Sequence, residues 1–187
     1  MNDYKYVDLI LGKQCQTKMG RGGIHPLEFK TFSKEMQNAI TNYCQAGGNF
    51  FVSGAYVASD LWDNRLVKAN EEDKKFAMEV LKYKWRVGQA ARNGKVKSVA
   101  SPFPEITGSY TYYQDLNPES YVVESPDALE PAAQGAFTIL RYSENNLSAG
   151  IAYKGNYKTC VLGFPFEAIR TVTERELLMK PILTFFE

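Results

Sequence analysis

Between Ser33 and Gly54 the apolar pattern changes period once, and that change constrains the fold more than any other feature of the chain. Met36, Ile40, Tyr43 and Cys44 recur at helical spacing, which predicts a helix over residues 33–46 with Ser33 as its N-cap. Gly47-Gly48 ends it. The consecutive apolar residues Phe50, Phe51 and Val52 then predict a short buried strand over 49–53, followed by a tight turn of small residues at Ser53-Gly54-Ala55. Helix, glycine pair, buried strand and tight turn together predict an α/β layer.

The remaining punctuation extends this pattern. Residues 7–12 read as a strand and 59–68 as a short helix. Residues 70–84 read as a longer helix capped by Asn70, with Asp73 at N3 and Phe76, Val80 and Leu81 turned inward. Residues 86–92 and 95–99 read as a hairpin about Asn93-Gly94, because Asn-Gly accepts the positive φ of a type I′ turn. A further strand is expected at 109–114, and Pro-rich loops at 102–104 and 125–131. Residues 136–142, 147–154 and 157–162 form a β-meander. A closing helix over 173–186 has a capping box at Thr173 and Glu176, buries Leu177, Leu178, Ile182 and Phe185, and is kinked at Pro181.

Length and composition narrow the function classes. A chain of 187 residues is read as one domain spanning 1–187, able to bury roughly 70% of the surface its unfolded form exposes. Lys+Arg 22 against Asp+Glu 21, without a long single-sign run, argues against nucleic acid as a partner. No apolar stretch approaches the ~20 residues of a membrane span, and the polar start of the chain does not read as a signal peptide. Cys15, Cys44 and Cys160 are too widely spaced for a metal knuckle and read as free thiols, with Cys44 and Cys160 acting as small core residues. His25 is the single histidine, so a multi-histidine metal site is excluded.

The segment Val161-Leu162-Gly163-Phe164-Pro165-Phe166-Glu167 resembles the last core strand of class I glutamine amidotransferases, which runs into Phe-His-Pro-Glu. Phe51-Val52-Ser53-Gly54-Ala55 resembles their nucleophile elbow, Gly-x-Cys-x-Gly. Pro165 stands where the resembled enzymes have their basic histidine, and their cysteine is missing as well. A Cys-His-Glu relay needs an imidazole to make thiolate, so the resemblance implies a fold without that reaction. Phrases such as Val-Ser-Gly-Ala-Tyr and Ser-Ala-Gly-Ile-Ala-Tyr-Lys-Gly also resemble the C-terminal module of secreted gut-bacterial proteins labelled xanthan lyase. The resemblance implies a mainly parallel, flavodoxin-like α/β sheet with helices on both faces and an antiparallel β extension. A periplasmic or extracellular setting and a carbohydrate, or another domain of a parent protein, as partner are implied in the same way. From the apolar strands flanked by helical patterns, 7–11, 50–52 and 161–163 are expected as neighbouring or near-neighbouring core strands.

The candidate pocket consists of Ser53, Gly54, Tyr56, Asp60, Glu130 and Glu167. An elbow exposes Ser53 over the C-terminal ends of the strands; the plain alternative is that Ser53 and Gly54 are small because the turn is tight. Glu167 serves either as a ligand contact at that edge or as an acceptor for backbone N–H groups and a partner of Arg170 or Arg175. Tyr56, Asp60, Trp62 and Asp63, with Asp127 and Glu130, combine carboxylates and aromatics that suit sugars or a hard cation, while loop and cap roles are their default. Tyr110, Tyr112 and Tyr113 are expected to pack on a strand face. The glycine run at Gly20, Gly22 and Gly23 with Lys18 and Arg21 does not match a phosphate loop. No catalytic residue, metal ligand set or cofactor is assigned.

In the resembled family a strand–helix–strand unit precedes the strand at 7–12. This chain begins too late to contain it, so either it is a fragment of a longer protein, or a partner or a rearranged strand order covers the sheet edge; a homo-oligomer or an exposed edge is expected there. The leading functional expectation is a non-catalytic accessory or interaction module. The alternative is a hydrolase or lyase-associated domain with its site at the Ser53 elbow, completed from outside the chain.

Overall fold

The computed structural model describes residues 3–18, 28–62, 70–104 and 106–187. His25, Arg21 with its neighbouring glycines, Asp63 and the second half of the helix expected over 59–68 lie outside the described residues. Helix α1 (Lys34–Gln45) starts where its cap predicts, with the Ser33 hydroxyl accepting the Met36 N–H at 3.3 Å. It buries Gln37, Ile40, Tyr43 and Cys44, and Gly47 ends it at φ +89. Gly48 has to be glycine, because a Cβ there would collide with the Tyr43 ring. Strand β4 (Asn49–Gly54) comes next, buried at every position.

Alternation along β4 creates the two cores. Phe50 and Val52 pack with Ile40, Tyr43 and Cys44 of α1. Phe51 points to the opposite layer, which also holds Leu178, Ile182, Phe185 and Phe186 of α4 (Val172–Phe186). Each fully buried aromatic or aliphatic side chain contributes roughly 1.5–3 kcal/mol. Strands β1 (Tyr6–Gly12) and β11 (Lys158–Leu162) flank β4 and run parallel to it, so the three strands are neighbours or near-neighbours, as expected.

The flavodoxin-like expectation is overturned by the rest of the sheet. Its order is β1-β4-β11-β10-β9-β6-β7, with β6 (Lys95–Ser98), β7 (Ser109–Thr111), β9 (Ala136–Tyr142) and β10 (Ser148–Lys154). Only β1–β4 and β4–β11 pair in parallel; the other four pairings are antiparallel. What reads as an extension is therefore more than half of one mixed sheet. Short turns between β9, β10 and β11 force each strand back beside its predecessor, which leaves no room for the crossover helices a parallel sheet needs.

Three local expectations are corrected as well. The hairpin about Asn93-Gly94 does not form: β5 (Tyr83–Val87) pairs with β8 (Ala128–Pro131), while β6 joins the main sheet. Gly94 takes φ +62 but Asn93 does not take a positive φ, and the Glu144 carboxylate instead accepts the N–H groups of Arg92 and Asn93. The helix expected over 70–84 is α3 (Glu71–Phe76), correctly capped by Asn70, continued by a π-turn (Ala77–Leu81) and stopped by Lys82 at φ 69. Its last carbonyls, of Glu79 and Val80, are taken by the Tyr157 hydroxyl. The capping box of α4 is Thr171 with Glu174, two residues early, because Glu174 also accepts the Thr111 N–H across the fold at 3.1 Å. That shift turns Leu177 outward and buries Pro181 inside a continuous helix. The remaining short elements are β2 (Thr17–Lys18) with β3 (Glu28–Phe29), and α2 (Ser59–Trp62).

Candidate functional site

The parallel strands β1, β4 and β11 end together, and the segment 121–127 lies across those ends. Its anchor is Asp127, completely buried. One carboxylate oxygen accepts the N–H groups of Ala58 and Ser59, both at 2.8 Å, and the Ser59 hydroxyl at 3.1 Å; the other accepts the Trp85 indole N–H at 3.2 Å. This caps the turn that leads from β4 into α2 and ties it to β5. The backbone is held equally firmly: the Asp127 N–H bonds the Gly163 carbonyl at 2.7 Å, and its own carbonyl accepts the Tyr142 hydroxyl at 2.7 Å. Burial pushes the Asp127 carboxyl up to about 7 against the downward pull of its four donors.

Ser53 lies beneath this cover with no exposed surface. Its hydroxyl accepts the Phe166 N–H at 3.2 Å and so fastens β4 to the turn after β11. Pro165 opens that turn, with Phe164 stacked on Tyr112 at 5.0 Å and Phe166 edge-on to Phe51 at 5.8 Å. The position of the absent histidine is thus occupied by a packing unit. Gly54 is small because a Cβ would stand 2.9 Å from that of Leu11, where β1 and β4 approach at a bulge.

The other expected pocket residues separate. Tyr56 is half-buried beside Ser125, its hydroxyl pushed up by burial and by the charges of Cys15 and Glu124. Asp60, 2% exposed, accepts the Gln16 N–H, and burial raises its carboxyl against that bond and the Thr31 hydroxyl. Glu130 is exposed on β8, with the Arg86 guanidinium 3.6 Å away, and takes no part in the strand-end cluster. Glu167 joins it: the Tyr121 hydroxyl donates to Oε1, Oε2 is buried without a hydrogen-bond partner, and Gly12 packs against the same carboxylate. Arg170 and Arg175 go elsewhere, to Asp115 and to the Ile169 carbonyl. Lys13 closes the rim, paired with Glu124 at 3.1 Å and above the Tyr121 ring.

Ser53 and Glu167 are legible in the sequence as residues of this edge, whereas Asp127 reads there only as one of the loop carboxylates with a cap role as default, and its burial with four donors is not legible. Tyr121, which orients Glu167, carries no local signal either. Tyr110, Tyr112 and Tyr113 are buried packing residues, and Cys44 and Cys160 are buried thiols, as expected. Among the described residues no group of three or more His, Cys, Asp or Glu side chains could hold a metal ion, and no helix is long and apolar enough to cross a membrane.

No protein-family model and no curated protein matches the sequence. Among solved structures the chain is similar to the cold-adapted β-galactosidase from Rahnella sp. R3. That likeness has a TM-score of 0.58 at 12% identity, covering 98% of this chain and 23% of that one. The two share a fold, and this chain spans less than a quarter of that protein's length. The mmIFT52 N-terminal domain is also similar, with a TM-score of 0.42 at 14% identity over 83% of this chain and 72% of that one.

Proposed function

We propose that this chain is a non-catalytic relative of amidotransferase-like domains, serving as an accessory or interaction module of a secreted protein that handles polysaccharide or cell wall. The observation that carries the first part is the state of Ser53. Its hydroxyl is spent as an acceptor for the Phe166 N–H, has no exposed surface, and lies under a segment locked by Asp127. A nucleophile needs a base within reach and an opening for substrate. Pro165 provides no base, and the strand ends provide no opening at Ser53.

Sequence resemblance to the C-terminal modules of xanthan-lyase-labelled proteins supports the carbohydrate setting. The similarity to one part of a β-galactosidase chain is consistent with a module carried beside a sugar-processing domain. A serine-directed fluorophosphonate probe tests the non-catalytic reading. No labelling of the native protein is expected, and stoichiometric labelling abolished by Ser53→Ala overturns it. Ser53→Ala should cost about 1–2 kcal/mol of stability, because it strands the Phe166 N–H in the core.

A further inference from the structure

Strand β1 forms one edge of the seven-stranded sheet, and its outer side has no strand partner among the described residues. The Asn49 N–H bonds the Lys5 carbonyl at 3.3 Å, and β1 then runs in register with β4 from Tyr6↔Asn49 to Ile10↔Ser53. In a parallel ladder alternate residues address the same neighbour, so Lys5, Val7 and Leu9 turn their backbone groups to β4. Tyr6, Asp8 and Ile10 present theirs to the open side. Such edges are ordinarily shortened, bulged or guarded by charges. In β1 the bulge comes only at the end, between Ile10 and Gly12, and Asp8 is the one charge along its seven residues, so Ile10 stays 50% exposed, with Tyr4 68% exposed just before the strand.

We propose that β1 pairs antiparallel with β1 of a second copy about a two-fold axis at Val7, joining two sheets into one. A perpendicular two-fold keeps each face of the sheet on its own side, so outward-pointing residues meet outward-pointing residues. With the axis at Val7, Tyr6 exchanges backbone hydrogen bonds with the partner's Asp8, and the symmetric pair repeats them. The ladder ends there, because Tyr4 precedes β1 and its carbonyl accepts the Tyr43 hydroxyl of its own chain at 3.2 Å, but the partner's Ile10 is brought beside that exposed ring.

Charge complementarity selects this register. The Lys5 ammonium lies over the Tyr6 ring at 5.1 Å, which brings it to the face where the partner's Asp8 arrives. Within its own chain the Asp8 carboxylate feels the like charge of Glu167; a second copy supplies the missing cation, twice. Moving the axis to Asp8 sets two carboxylates face to face. An axis at Leu9 sets Lys5 opposite the partner's Lys13 and leaves Asp8 against Ile10. Both lose what the Val7 register gains.

The edge pairing does not rest on the non-catalytic reading, and a monomer would leave that reading standing. Sedimentation equilibrium of the full chain supplies the test, with circular dichroism confirming that each variant is folded. Wild type is expected to dimerise. Lys5→Glu and Asp8→Lys should each weaken association by roughly 10- to 100-fold, because two symmetric attractive pairs become repulsive. The double variant Lys5→Glu/Asp8→Lys should recover most of it, and Ile10→Lys should give a monomer. A wild type that stays monomeric at its highest soluble concentration overturns the proposal. So does a dimer indifferent to the single exchanges, or one that the double exchange fails to rescue.

Discussion

The main-chain oxygen of Asp127 occupies the space a Cβ at Gly163 would need. The two residues also share a hydrogen bond, from the Asp127 N–H to the Gly163 carbonyl, and the Tyr142 hydroxyl reaches both their carbonyls, at 2.7 and 3.2 Å. Gly163 belongs to the segment that resembles a catalytic strand end. Its lack of a side chain is explained by the chain crossing directly above it.

Gly163→Ala should therefore destabilise the fold by about 3 kcal/mol, since the obstacle is backbone held on both sides and cannot swing away. In a chain of this size that corresponds to a fall of roughly 10 °C in the thermal midpoint, measurable by calorimetry. An unchanged midpoint would show that segment 121–127 is not fastened as described.

Asp127 makes stability depend on pH in an unusual direction. Its folded carboxyl titrates at about 7, above the ordinary value of about 3.9 in an unfolded chain, so the folded state binds its proton more tightly. The stability that proton contributes is greatest below about pH 4, is lost as pH rises through 7, and changes no further above that. Thermal midpoints between pH 5 and 8 should decline with pH, and the decline should be shallower in Asp127→Asn. That substitution should itself cost about 1–3 kcal/mol, because an amide cannot accept from all four donors.

Glu167→Gln should lower the Asp8 pKa. Although Asp8 as a residue is solvent-exposed, desolvation of its carboxyl and then the Glu167 charge raise it to about 6. Removing the charge leaves the desolvation, so a downward shift short of the ordinary value is expected. An NMR titration of the side-chain carboxyl carbon reads it directly; an unmoved pKa would mean the two carboxylates do not interact.

Thiol accessibility should separate the cysteines. Burial pushes the Cys44 thiol up to about 12 and raises Cys160 further, whereas Cys15 is only partly buried. In the native protein an aromatic disulfide reagent should titrate Cys15 slowly and leave the other two unreacted until denaturant is added. Rapid native reaction of Cys44 would contradict the packing of α1 on β4.

Local chemistry determined much of this protein. Ser33 and Asn70 cap helices because a side-chain oxygen next to free N–H groups is satisfied whatever lies beyond. The run at Phe50, Phe51 and Val52 demanded a strand covered on both faces; the tight turn expected at 53–55 is displaced, because Ser53 and Gly54 still pair as part of β4 and the chain turns only over 55–58. The parallel trio β1, β4 and β11 arises from those signals. Long-range pairing decided the rest. Asn93-Gly94 carries a hairpin signal, yet β5 leaves for β8 and β6 for β9, since the partner that buries most surface outweighs the nearest one. The capping box moved from Thr173 to Thr171 because Glu174 is claimed by Thr111, sixty-three residues away. The strand-end cluster was half legible: Ser53 lies near the end of β4 and Glu167 just after β11, strands that must end together, but Asp127 and Tyr121 come from a loop whose path no local pattern encodes. A buried carboxylate with four donors is a property of where the chain returns to in space, and only the tertiary structure brings those donors to one point.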